Sequence, residues 1–277
     1  MMNTPKVSLE LALQLSHSHS DKFAQAKEFR HVPFYGELYH YTYGQDEVDV
    51  KLLHHLFQKG GKKRGLRFLE VFAGSAYDSG VLQFFFPENE FVACDISDSM
   101  LAYQKFPNIQ YNVVDAVNGD LTSLGKFDVV FGGVTNASHS DILTMDGLYE
   151  HSKRVARILN DKGLFIVSAT GNLKQEGFYF AFAENKIRFG KGSSSNLTAQ
   201  MMELYTINPV TDFGSYFNLV VILDAKGRVI DALYADDHVF RSWSNAVVIE
   251  VVTACGFNFI KDLSKISEGL LAFTLKR

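Results

Sequence analysis

LEVFAGSAYDSG, from Leu69 to Gly80, opens as an apolar strand and then breaks into small residues. Where a strand turns through small residues into a helix, backbone amides come within reach of a ligand. Glycine serves such a turn because a Cβ would block the approach. Glu70 is expected to end the strand and Gly74 to sit in the turn, flanked by Ala73, Ser75 and Ala76. Several glycines that a nucleotide-cradling loop would carry are absent, so the ligand has to be read from the rest of the chain.

The rhythm on either side of this stretch is strand, helix, strand. RFLEVF is a short apolar strand, and YDSGVLQFFF is predicted to be a helix ending before Pro87. EFVACD is a second strand, and DSMLAYQKF a helix with Ser97 or Asp98 as its N-cap. IQYNVVD and KFDVVFGG are the third and fourth strands. Residues 143–160 have helical spacing, with Asp161-Lys162-Gly163 as the stop, and GLFIVSAT is the fifth strand. Such alternation implies right-handed βαβ crossovers and a parallel sheet covered on both faces.

Before and after this core the pattern is weaker. Residues 7–30 read as loosely periodic helix, HVPFYGELYHYTYG is crowded with tyrosines, and 46–58 has helical spacing ended by Gly60-Gly61. Residues 172–217 read as polar, aromatic and irregular. YFNLVVILD and RVIDALYAD then form a predicted hairpin around DAKG. SNAVVIEVVTACG is a helix, and FNFIKDLS and GLLAFTLKR are the last two strands.

The expected fold is α/β: a doubly wound, mostly parallel seven-stranded sheet, Rossmann-like, with an antiparallel insertion on the substrate side. The expected division is a helical, tyrosine-rich lid over 1–60, a ligand-binding core over 61–171, the insertion over 172–240, and a final helix and strands over 241–277 completing the sheet.

Composition limits the function classes. The 277 residues are 47% hydrophobic and 21% charged, with net charge −4, which fits a soluble protein without a broad basic footprint for nucleic acid. The one basic cluster, Lys59, Lys62, Lys63, Arg64 and Arg67, reads as a solvated loop ahead of a strand. Cys94 and Cys255 give neither a disulfide framework nor zinc spacing, so a reducing, cytoplasmic setting is expected and no metal is called. No signal peptide and no apolar run of membrane-spanning length is read, so no membrane partner is expected.

Three acidic residues are expected at the ends of three successive strands: Glu70, Asp95 and Asp115. Asp95 falls 21 residues beyond Gly74, a place that suits the two hydroxyls of a ribose. Asp115 can accept from an adenine amino group, and Ala116 offers a backbone N–H. A helix N-terminus attracts anions, but Glu70 would oppose a pyrophosphate there. A ligand joining adenosine to a positive charge fits better, which describes S-adenosylmethionine (SAM). Each acid alone reads more readily as loop capping; the ordered set points to a ligand.

These residues carry a resemblance. From Tyr35 to Arg277 the chain resembles a class I SAM-dependent methyltransferase: LEVFAGSA stands for the strand and glycine loop, Asp95 for the ribose acid, VVDA for the adenine-side acid. RVARILNDKGLFIVSA is similar to that family's helix, Lys-Gly turn and strand. It looks closest to the small-molecule N-methyltransferases of amino sugars and similar amines. FYGELYHYTYG resembles their N-terminal tyrosine segment, His139 falls where their fourth-strand loop carries a histidine, and LYADDHVF, ACGF and GLLAFTLKR follow their insertion and last hairpin. Phe72 and Ala76 depart from the family by standing where it usually has glycine.

The resemblance implies SAM as cofactor, a small-molecule amine as substrate, and an enzyme of the methyltransferase class, with a homodimer left open. The catalytic candidates are His139 as the base that frees an ammonium of its proton, Tyr35, and Asn136. The cofactor-side candidates are Glu70, Ala73, Gly74, Ser75, Asp95, Ile96, Met100, Asp115, Ala116, Phe131 and Tyr43. Tyr39, Tyr41 and Tyr43 share the lid segment with Tyr35, where aromatic faces attract cations. Phe131, Asn136 and Ser138 are expected at the fourth-strand end, and Asp236-Asp237-His238 in the insertion. Two other readings stay open: SAM cyclisation or aminocarboxypropyl transfer releasing methylthioadenosine, and a SAM-binding scaffold without catalysis.

Overall fold

The computed structural model describes residues 27–28, 64–101, 106–132, 142–168, 179–187, 197–207, 213–241, 243–263 and 270–276. The helices expected over 46–58 and over most of 7–30 lie outside these residues.

The main sheet has seven strands. Its parallel part is formed by β2 (Arg67–Val71), β3 (Glu90–Asp95), β4 (Ile109–Val113), β5 (Phe127–Gly132) and β6 (Leu159–Ser168). The last two strands, β11 (Phe257–Asp262) and β12 (Leu270–Leu275), join it antiparallel through β6. The order across the sheet is β11-β12-β6-β5-β2-β3-β4. Chain order therefore reverses between β2 and β5, and in an open α/β sheet the crevice outside the carboxyl ends at such a point is where ligands bind.

The strands are apolar on both faces because helices cover both. Leu69, Val71, Val92, Val130, Phe165 and Phe273 pack on one side with Trp243 and the helices α3 (Met145–Ile158) and α4 (Asn245–Ala254). Their chain neighbours Phe68, Phe91, Val129, Ile166 and Ala272 pack on the other with Leu82 of α1 (Tyr77–Phe85). The alternation along each strand delivers one core to each face. The remaining short helix, α2 (Asp98–Leu101), is capped by Ser97, whose Oγ accepts from Met100 N at 3.3 Å. Thr144 caps α3 in the same way, accepting from Gly147 N at 3.0 Å.

A second, five-stranded sheet has the order β1-β10-β9-β8-β7. Its strands are β1 (Lys27–Glu28), β7 (Tyr179–Ile187), β8 (Leu197–Ile207), β9 (Phe213–Leu223) and β10 (Val229–Arg241); β1 pairs parallel with β10 and the rest pair antiparallel. The hairpin around DAKG is as expected, with Asp224 accepting from the amides of Lys226 and Arg228.

Three expectations are corrected here. Residues 172–217 are not irregular throughout, because β7, β8 and the start of β9 fall inside them. β8 reads LTAQMMELYTI, rich in helix formers, and pairing with two neighbouring strands overrides that local preference. Lys27–Glu28 is strand, not helix, added to the open edge of β10. The Asp161-Lys162-Gly163 stop is also absorbed into β6, whose bend there is marked by a Lys162 φ of 61°.

Arg241, at the end of β10, ties the second sheet to the core. Its guanidinium lies 4.1 Å from the Trp243 ring and 5.2 Å from that of Phe213, and Nη1 donates to Leu143 O at 3.4 Å. Trp243 Nε1 donates to Ile142 O at 3.0 Å, just before α3.

Candidate functional site

The missing glycines have left their backbone behind. Phe72, Gly74 and Ala76 have φ of 55°, 52° and 53°, so three alternate positions of the loop after β2 are left-handed. Only Gly74 adopts that conformation without a side-chain penalty. Ala73 N donates to Cys94 O at 3.0 Å, fastening the loop to β3, and Ala76 N donates to Ala73 O at 2.7 Å. Ala73, Ser75 and Ala76 are buried, and small side chains are what the site admits.

Glu70 is buried and stands one residue before the strand end at Val71, a correction of one position. Its Oε2 accepts from Ser79 N at 3.0 Å, in the first turn of α1. Ala76, the N-cap residue, has no side-chain acceptor, so Glu70 caps this helix from the strand. Burial, with Asp78 nearby, holds its carboxyl well above the usual carboxylate range. With Ser79 N already occupied by Glu70, that amide is closed to an anionic ligand.

Asp95 ends β3 and reaches back over the loop. Its Oδ2 accepts from Gly74 N at 2.8 Å and its Oδ1 from Ser97 N at 2.9 Å. Burial raises its pKa, against the opposing effect of these amides. Next to it Ile96 is 62% exposed, and Val113, opposite Asp95 in the register of β3 and β4, is 59% exposed. Two exposed aliphatic side chains at the carboxyl edge give a flat ligand ring something to lie on. Met100 is buried, as is Phe131, which packs with Ala73, Ala76 and Ile166 beneath the loop rather than lining the strand end.

Asp115 lies two residues beyond the end of β4 at Val113, again a correction of position. Its carboxylate is engaged by its own turn: Oδ1 accepts from Val117 N at 2.7 Å and Asn118 N at 3.0 Å, and Oδ2 from Asn118 Nδ2 at 3.1 Å. Burial would raise this carboxyl, but these bonds outweigh it and hold it below the usual range. Asp115 O accepts from Gly119 N at 2.8 Å. The Ala116 N–H has no acceptor among the described residues. A Cβ at Gly119 would meet Asp115 O at 2.5 Å, so only glycine closes this turn.

The residue that sequence reading missed is His151. It is buried on α3, with Nδ1 2.8 Å from Ala116 O. A carbonyl only accepts, so Nδ1 carries the proton. Burial lowers its pKa, keeping the ring neutral. Helical spacing held the signal: Leu148, His151, Ser152, Val155 and Ile158 are one buried face, and a histidine there needs a partner. Cys94 is buried, its thiol pushed well up by burial, and takes no part.

Tyr35, Tyr39, Tyr41, Tyr43, Asn136, Ser138 and His139 lie outside the described residues. Asp236, Asp237 and His238 fall on β10. No group of metal-ligating residues occurs among the described residues. No described helix is long and apolar enough to cross a membrane.

No protein-family model and no curated protein sequence matches the chain. Solved structures do. The sugar N-methyltransferase KedS8 from Streptoalloteichus is similar with a TM-score of 0.67 at 16% identity, over 87% of this chain and 92% of its own. DesVI from Streptomyces venezuelae is similar with a TM-score of 0.67 at 13% identity, over 94% and 98%. CalS10, an amino pentose methyltransferase from Micromonospora echinaspora solved with SAM bound, is similar with a TM-score of 0.60 at 14% identity, over 84% and 92%. The chain has the α/β fold of these SAM-dependent methyltransferases.

Proposed function

We propose that the chain binds SAM at the carboxyl edge between β2 and β4 and methylates an amine of a small molecule. The observation that carries this reading is the loop 72–76: it keeps three left-handed positions with only one glycine, and Asp95 lies across it. A backbone conformation that costs free energy persists where the surrounding structure enforces it, commonly at ligand sites.

The residues fit the group. Asp95, fixed by the amides of Gly74 and Ser97, would accept from the ribose hydroxyls with its remaining lone pairs. Ala116 N–H donates to an adenine ring nitrogen, and Ile96 covers one face of that ring. Glu70, bonded to Ser79 N at the start of α1, closes that helix amide to a phosphate. When bound, SAM supplies an activated methyl group on a sulfonium. The chain's task is then alignment and removal of one proton. His139 is the proposed base that takes the proton from the acceptor ammonium. The free amine so formed would be the nucleophile for the methyl group that SAM would supply. Tyr35 and Tyr43 are proposed to face the positive charges, and Asn136 to hold the methionyl end or the acceptor. The proposed setting is cytoplasmic, with Cys94 and Cys255 free, as in the structure.

The test is a mass-spectrometric incubation of the pure protein with SAM alone, then with a panel of amines led by amino sugars. S-adenosylhomocysteine formed only with an acceptor is the expected result and identifies the substrate class. Methylthioadenosine formed without an acceptor would replace methyl transfer by SAM cyclisation, and no binding of SAM would overturn both.

A further inference from the structure

We propose that His151 is a positioning residue for adenine recognition, holding the turn after β4 so that one amide is left to read the base; this rests on the SAM reading above. The turn contains two peptide groups that matter. In the one joining Ala116 to Val117, the carbonyl accepts from His151 Nδ1 at 2.8 Å and the N–H donates to Asp115 Oδ1 at 2.7 Å. This peptide plane is held from both ends. In the preceding one, Asp115 O accepts from Gly119 N, and of the four groups in these two peptides the Ala116 N–H alone has no acceptor among the described residues. Ala116 is only 3% exposed, so an amide donor here is costly to leave unpaired. A ring nitrogen acceptor such as adenine N1 answers it.

His151 also connects this turn to the glycine-poor loop. Its ring lies 5.4 Å from that of Phe72 and 6.1 Å from that of Phe165. Phe72 is the first of the three left-handed residues, so the side chain that replaces glycine packs on the ring that holds the adenine-side turn. One imidazole therefore sets two loops: by a hydrogen bond to one and by ring contact to the other. A merely buried histidine would need neither the single orphan donor nor the strained aromatic partner.

The test compares binding of S-adenosylhomocysteine with that of S-inosylhomocysteine, whose base replaces the N1 acceptor by an N–H donor and the 6-amino group by a carbonyl; the share of the preference due to Ala116 is the part that changes between the wild type and the His151 variants. Calorimetry on the full-length protein is expected to show a preference for the adenosyl ligand of about tenfold or more, the value of one hydrogen bond made against one opposed. His151→Phe keeps the ring contacts but has no donor, and is expected to lose most of that preference. His151→Asn keeps a donor but not the ring, and is expected to retain it. His151→Leu carries the same expectation as His151→Phe should that variant fail to fold. In the wild type, the Ala116 amide proton is expected to move downfield with the adenosyl ligand and not with the inosyl one. An unchanged preference in His151→Phe or His151→Leu, or an unmoved Ala116 amide, overturns the inference while leaving SAM binding intact. A wild type that binds neither ligand overturns the SAM reading itself.

Discussion

The loop after β2 and the turn after β4 lie on the same carboxyl edge, and they reach special backbone conformations by opposite routes. The turn uses side chains suited to it: an aspartate that accepts from two amides, an asparagine that adds a third bond, and a glycine where a Cβ would clash. The loop puts Phe72 and Ala76 where left-handed φ penalises any Cβ, and depends on packing to hold them. One conformation is stabilised locally, the other by contacts from elsewhere in the fold. The two regions should therefore respond differently to substitution, ligand and acid.

The largest expected difference concerns ligand binding. Asp95→Ala removes the acceptor proposed for the ribose hydroxyls and is expected to weaken S-adenosylhomocysteine binding by about a hundredfold or more, as for two charge-assisted hydrogen bonds. Titration calorimetry reads this directly, and an affinity within threefold of wild type, on the order of measurement scatter and far below one hydrogen bond, would remove Asp95 from the site.

Acid separates the same two regions. The folded-state pKa of Asp95 is raised, so its folding contribution is fully present below the unfolded value and is lost as pH rises through the folded one. The pKa of Asp115 is lowered, so its contribution is present above the unfolded value and is lost as pH falls through the folded one. On acidification, Asp95 takes its proton above its ordinary value, and ligand affinity falls first. The stability held by the turn falls later, as Asp115 takes its proton below its ordinary value. Affinity and melting temperature measured across the acid limb should therefore give two separated curves; coincident curves would contradict the burial argument for Asp95.

Stability sharpens the comparison further. Phe72→Gly relieves the left-handed strain but removes the ring from His151, and the half-buried aromatic is expected to outweigh the relief, for a net loss of about 2 kcal/mol. Asp115→Ala leaves Val117 N and Asn118 N without their acceptor at a partly exposed turn, for a loss of about 1–2 kcal/mol. Urea unfolding of both variants checks the order. A stabilised Phe72→Gly would mean that the ring contact contributes nothing.

How much of this could be read in advance followed from where the information is stored. The parallel core was legible because each strand is a short apolar run bounded by its own turn residues, and the reversal at β2 and β5 matches a fold inferred from those runs. Asp95 was legible from its spacing to Gly74. β7 and β8 were not, because β8 carries helix-forming residues and is strand only through its pairing with both neighbours. His151 escaped because the residues that explain it, Ala116 and Phe72, are distant in sequence. The left-handed loop was hidden for a related reason: glycine announces positive φ, whereas alanine and phenylalanine adopt it only when the fold compels them.

Ala76→Gly is the smallest effect expected and isolates the backbone from the side chain. At φ 53° the Ala76 Cβ costs about 1 kcal/mol, which glycine recovers. Against this stand the loss of a fully buried methyl, about 0.8 kcal/mol, and the greater freedom of glycine in the unfolded chain, about 0.4–1 kcal/mol. These nearly cancel, so unfolding free energy should move by no more than about 1 kcal/mol, in the direction of loss. Gly80→Ala provides the contrast on the next turn of chain, since a Cβ there would collide with the Phe106 ring and must displace it. If Ala76→Gly were as damaging as Phe72→Gly, the methyl group would be a packing element in its own right, and the loop would be held by side chains at both unusual positions. If it were neutral, Phe72 alone would be the residue through which the fold enforces the left-handed path, with Ala76 merely small enough to follow it.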